Sequence, residues 1–293
     1  MNLTPKIMEI VQTGRAQKIL VVPKSPMLLR IGRITSPLDP HPVLPQDVKD
    51  TLSGLATIAN YQIVVGSGKT SNGTFTLSTH DVGRLRVNFI IQRGTPVIFV
   101  ERVPSQIPPI NERIPQVEVK RGLIGLLEAE TGIILFTGSD AEETAEVICA
   151  VLKHINDNEN KILCTIEKPL RYILNNNKSV VIQREVGVDV DNVAHGINRS
   201  SFLEADVLYI SDIPDKKSLD ELIQVANRKT LCLVRFPSWS PSLAIKSLQH
   251  LHGSPDLFSQ VVKELLLGVV HLGKKGEMTL YTRQEKEALL HGA

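Results

Sequence analysis

The feature that most constrains this chain is an alternation that begins near Gly132. GIILFTG, KILCTIE, ADVLYIS and KTLCLVRF are short apolar runs bounded by turn residues. Between and after them come longer segments with apolar residues at helical spacing: DAEETAEVICAVLKHI, DVDNVAHGINRSSFLE, KSLDELIQVANR and PSLAIKSLQHL. Strands that are apolar throughout are buried on both faces. Alternated with helices, they predict a parallel sheet covered on both sides.

The first hundred residues read differently. Pro5 to about Gln17 has helical spacing, and KILVVPKSPMLLRIGRIT predicts two short strands around a proline-containing turn. PQDVKDTLSGLATIA is a helix with apolar residues at Val48, Leu52, Leu55 and Ile58. TFTLSTH and RLRVNFIIQRG are strands joined at Asp81-Val82-Gly83, and TPVIFVERVP adds another. This predicts a small α+β domain over residues 1–106 with an antiparallel sheet. SQIPPINERIP is proline-rich and lacks periodicity, so residues 107–116 read as a linker and 117–293 as the second domain.

Net charge is only +2, which gives no general case for a nucleic-acid binder. Cys149, Cys164 and Cys232 lie far apart in apolar runs, so buried reduced thiols are expected rather than a zinc site. The N-terminus lacks the apolar core of a signal peptide, and no run reaches membrane-spanning length. The expected location is cytoplasmic, with a peripheral seat on a membrane complex as the alternative.

VVGSGKTSNG, residues 64–73, contains the Gly-Lys-Thr of a phosphate loop. A full loop has its first glycine five positions before the second, and that position holds Ile63. Such a loop also needs a helix directly after it, whose N-terminal amides receive phosphate. SNGTFTLS is turn and strand chemistry instead. The stretch reads as a glycine-rich turn.

The proper context is GIILFTG followed by a helix. Asp140, Glu142 and Glu143 stand at that helix's N-terminus, where acids favour the helix by roughly 0.3–1 kcal/mol each. SDAEET reads as a capping start, with Ser139 or Asp140 as cap. The same acids would repel a triphosphate. The alternative, a magnesium site built from them, suffers because magnesium usually needs phosphate as co-ligand.

Several segments in order resemble the type IV pilus and type II secretion motor ATPases, the twitching-motility retraction branch most of all. They are GRLRVNFIIQRG, TGIILFTG with EVICAVLKHI, CTIEKP, VVIQREVGVD and ADVLYISDIPD. The resemblance covers nearly the whole chain. It implies an N-terminal α+β (PAS-like) domain followed by a RecA-like P-loop NTPase-fold domain with a parallel sheet. An ungapped match sets the family's Gly-Pro-Thr-Gly-Ser-Gly-Lys-Ser/Thr on Gly138, Ser139, Asp140, Ala141, Glu142, Glu143, Thr144 and Ala145. Only the first glycine survives. Thr144 replaces the phosphate-binding lysine, and Ala145 replaces the magnesium-binding hydroxyl.

The resemblance implies further site positions. Glu167 keeps the acidic box, though Lys168 follows it. Asp212 falls where the family's second nucleotide motif has a glutamate. It reads as a cap before KSLDELIQ, or as a surviving acid–base group. Pro237 replaces the histidine of the family's histidine box. Arg84, Arg86, Arg93 and Arg199 match arginines that bridge subunits in the family; solvated surface charge is the alternative. Trp239 is expected as a packing residue. His195, His250, His252 and His271 show no metal or triad spacing.

The expected function is a catalytically degenerate pseudo-ATPase, a structural or regulatory subunit of a pilus or secretion machine. The expected partners are other copies, an active motor relative and inner-membrane platform proteins, with no cofactor. One alternative is an active ATPase that uses ATP and magnesium with an atypical loop. Another is a binding module for a small ligand or protein in the old nucleotide cleft.

Overall fold

The structure is a computed structural model describing residues 2–16, 18–31, 34–63, 72–80, 83–104, 106–254, 258, 260–261, 264–273, 276–282 and 285. The chain divides into two compact units, Met1–Pro104 and Ser105–Ala293.

The first unit contains α1 (Thr4–Gln12), β1 (Lys18–Val21), β2 (Leu28–Ile31), β3 (Ile34–Pro37), α2 (Pro45–Ile58), β4 (Asn72–Thr79), β5 (Gly83–Gln92) and β6 (Thr95–Val103). Its six strands pair antiparallel in the order β3-β2-β1-β6-β5-β4. In β5 the period-two pattern holds: Leu85, Val87 and Phe89 are buried. They meet Val48, Leu52 and Leu55 of α2 in one core with Ile7 and Ile10 of α1. The β5–β6 turn is Arg93–Gly94, with φ of 51° and 78°. Two positive φ values at a two-residue hairpin suit the strand twist, and Gly94 meets that demand without strain. The chain after Ile31 adds a third strand, ITSP, where the sequence pattern indicated two. The Gly66–Thr70 stretch and the Asp81-Val82 turn lie outside the described residues. The element next in the chain after Thr70 is β4, a strand rather than a helix.

The second unit contains α3 (Ile110–Arg113), α4 (Val117–Leu127), β7 (Gly132–Gly138), α5 (Ala141–Asn158), β8 (Ile162–Glu167), β9 (Val180–Glu185), α6 (Val193–Ser200), β10 (Val207–Ile210), α7 (Lys216–Ala226), β11 (Leu231–Arg235), α8 (Pro241–His252), β12 (Leu266–Leu272) and β13 (Met278–Tyr281). The sheet order is β13-β12-β7-β11-β10-β8-β9. All neighbouring pairs are parallel except the antiparallel edge strand β13. All seven residues of β7 are buried. Ile133 and Leu135 face one core with α6, α7 and α8, while Ile134 and Phe136 face the other with α4 and α5. Residues 107–116 pack within this unit: Ile107, Ile110 and Ile114 are buried, and α3 lies against α5. The prolines there break periodicity without preventing isoleucine burial.

Candidate functional site

The site stands at the C-terminal edge of the parallel sheet, where open α/β sheets bind their ligands. Only Ser139 and Asp140 separate the end of β7 from the first residue of α5. Asp140 is the N-cap of α5. Its Oδ1 accepts the backbone N–H groups of Glu142 at 2.9 Å and Glu143 at 3.0 Å. Glu142 and Glu143 complete an acidic first turn. The Thr144 hydroxyl turns back and donates to the Asp140 carbonyl at 2.7 Å. Thr144 and Ala145 are buried, so neither offers a side chain to the mouth of the site. Gly138 is held by space: a Cβ there would lie 2.7 Å from Thr144 Oγ1.

Glu167 ends β8 and is buried. It accepts from the Thr165 hydroxyl at 2.7 Å, the Arg171 amide at 3.2 Å and Gln183 Nε2 at 3.3 Å. Desolvation pushes its carboxyl above the ordinary carboxylate value; these hydrogen bonds pull the other way, and Glu185 adds repulsion. Glu185 stands beside it in register on β9 and is also buried. Tyr209, fully buried on β10, has its phenol pushed well up by burial and by the nearby Glu167.

Asp212 is half-buried just past β10. It is not the cap of the following helix. Asp215 is, accepting the Ser218 amide at 2.7 Å. IPD offers an acid at the helix boundary itself, and that one wins the cap.

The arginines scatter. Arg86 is buried and pairs with Glu101 at 3.1 Å, which also holds Lys18 at 3.1 Å. The register aligns Lys18, Glu101 and Arg86 on three adjacent strands, so Arg86 is engaged inside its own unit. Arg84 is half-buried, and Arg93 is exposed at its hairpin turn. Arg199 is exposed on α6, 5.5 Å over the Phe202 ring, with its Nε 3.2 Å from His195.

Trp239 is 73% exposed, so it is no packing residue. The chain around it continues the β11–β7 pairing, with Ser238 N–H donating to the Gly138 carbonyl. All three cysteines are buried and free. Burial raises each thiol, that of Cys164 to about 11. His271 bonds the Thr137 hydroxyl at 2.8 Å.

Sequence reasoning missed Arg235. It ends β11, is buried, and donates from Nε to the Ser211 carbonyl and from Nη1 to the Ala141 carbonyl, both at 2.7 Å. A charged residue closing the apolar run LCLV was the available signal. Among the described residues no three or more His, Cys, Asp and Glu side chains are grouped so as to hold a metal ion. Nor is any helix among them long and apolar enough to cross a membrane.

A parallel sheet covered on both faces, with a strand–turn–helix at its C-terminal edge and an antiparallel α+β unit before it in sequence, is the fold of the pilus and secretion motor ATPases. The crystal structure of the pilus retraction motor PilT with bound ADP superposes with a TM-score of 0.77 at 21% identity, covering 96% of this chain and 81% of that one. The Legionella pneumophila ATPase DotB gives 0.76 at 13% identity, covering 100% and 85%. In sequence the chain is similar to the type IV pilus ATPase PilU of Pseudomonas aeruginosa, 23% identical over 261 residues, 89% of this chain and 66% of that protein. Its homologues thus include type IV pilus ATPases. The chain spans about two thirds or less of the length of the curated relatives it matches. No protein-family model matches it.

Proposed function

We propose that this chain is a catalytically degenerate relative of the pilus and secretion motor ATPases, acting as a structural or regulatory subunit of such a machine on its cytoplasmic side. Its partners under this reading are other copies, an active motor relative and inner-membrane platform proteins. One observation carries the reading: the Asp140 carboxylate already occupies the first-turn amides of α5 that phosphate would need. A fixed negative charge there satisfies the helix dipole and opposes a triphosphate. With Thr144 in the lysine position and Ala145 in the hydroxyl position, positioning and charge stabilisation of phosphoryl transfer are both missing.

A second reading, an active ATPase with a rearranged loop, draws on Glu167, which stands buried at the strand end with a raised carboxyl pKa. Calorimetric titration with ATP and magnesium, beside a phosphate-release assay, separates the two. The expected result is no binding heat and no release above buffer. Micromolar binding with steady turnover would overturn the pseudoenzyme reading.

A further inference from the structure

The loop region is closed from within. The Arg235 guanidinium, 6% exposed, bridges the Ser211 carbonyl just past β10 and the Ala141 carbonyl in the first turn of α5. Both bonds are charge-assisted, and the one to Ser211 is buried, the condition in which such bonds are strongest. A second tie lies further out. Arg171 Nη1 pairs with Glu142 at 3.3 Å, while the Arg171 backbone N–H donates to Glu167 at the end of β8. The first turn of α5 is therefore fastened to β11 and the end of β10 by one arginine and to the end of β8 by another. In folds of this class a ligand spans that same crevice between the helix N-terminus and the neighbouring strand ends.

We propose that Arg235 is an internal clamp that takes the bridging place of a ligand and holds the site closed without one, with Arg171–Glu142 as an outer latch. The inference deepens the proposed function: a subunit clamped by its own arginine does not open and close with nucleotide. The geometry requires Arg in particular. Its planar fork reaches two carbonyls at once, whereas a lysine ammonium is a point donor on a flexible stem.

The test is hydrogen exchange on the full-length chain, unaltered and carrying Arg235→Gln or Arg235→Lys, with Trp239 fluorescence as a second readout from the same edge. With Arg235→Gln, amides of residues 142–146 should exchange roughly tenfold faster, while amides of β10 and β11 keep their protection. Trp239 emission should shift with them. Arg235→Lys should give an intermediate increase, and it decides the matter if the Gln variant does not fold. Unchanged exchange at 142–146 overturns the clamp. So does an increase spread evenly through the sheet, which would mark ordinary core support. Full protection by Lys also overturns it, because one donor would then suffice. ATP titration of the unaltered chain tests the pseudoenzyme reading separately. No binding there combined with unchanged exchange at 142–146 in Arg235→Gln would leave that reading standing and overturn the clamp alone, whereas binding to the unaltered chain would sink both.

Discussion

Each residue at the site answers to its immediate neighbours. Glu167 is a carboxyl that burial resists ionising, held by three donors and facing Glu185 across adjacent strands. Its folded pKa is raised above the ordinary 4.5. Below that value the group is protonated in both folded and unfolded states and costs nothing. As pH climbs through the folded pKa, the native state must ionise a buried acid, and stability is lost. Glu167→Gln removes that slope while its amide oxygen can still accept from Thr165. Urea unfolding at a series of pH values above 4.5 should show the variant gaining on the unaltered chain as pH rises. A constant difference would place the cost of burial elsewhere. Glu167 was legible in the sequence through its motif. Its burial was not, because the Arg171 amide and Gln183 come from later segments that only the fold brings over it.

Among the elements, β7 and α5 were the most legible. Seven consecutive small or apolar residues define a strand buried on both faces, and Asp140 with two following glutamates defines a helix start. The cap is worth about 0.5–2 kcal/mol. Asp140→Ala should lower unfolding free energy by that amount in denaturant melts, and loss of protection should be greatest at the first-turn amides. No loss of stability would mean that water or Glu143 serves those amides equally well. Other elements were harder to read. β9 carried motif residues without a clear strand pattern, because VVIQRE runs along an edge and is half-buried on both faces. Residues 107–116 read as a linker by their prolines, yet Ile107, Ile110 and Ile114 are buried. Composition registers the prolines, whereas burial depends on a surface of α5 that the sequence does not display. The cap before α7 fell to Asp215 instead of Asp212 because helix entry is decided by backbone position within one or two residues.

For the whole molecule, the proposed pseudoenzyme reading predicts thermal behaviour without linkage to nucleotide. A ligand present at about a thousand times its Kd adds about 4 kcal/mol to stability, enough to move a melting midpoint by several degrees in a domain of this size. Millimolar ATP with magnesium should leave the midpoint of this chain where it was in scanning calorimetry. A rise of several degrees would show that the crevice still receives nucleotide. The sequence by itself determined the alternation of strands and helices, the antiparallel first unit and the residue types, Thr144 and Ala145, that follow the acidic start of α5. These depend on periodicity and residue type, which are local. Only the tertiary structure decided which side chains stand around the N-terminus of α5. Arg235 reaches Ala141 and Ser211 because β11 lies beside both β7 and β10 in the sheet, and Trp239 stands exposed although the chain beside it still pairs with β7. Such pairings join residues distant in sequence, so they depend on strand order and side-chain reach and leave no mark in any single stretch of sequence.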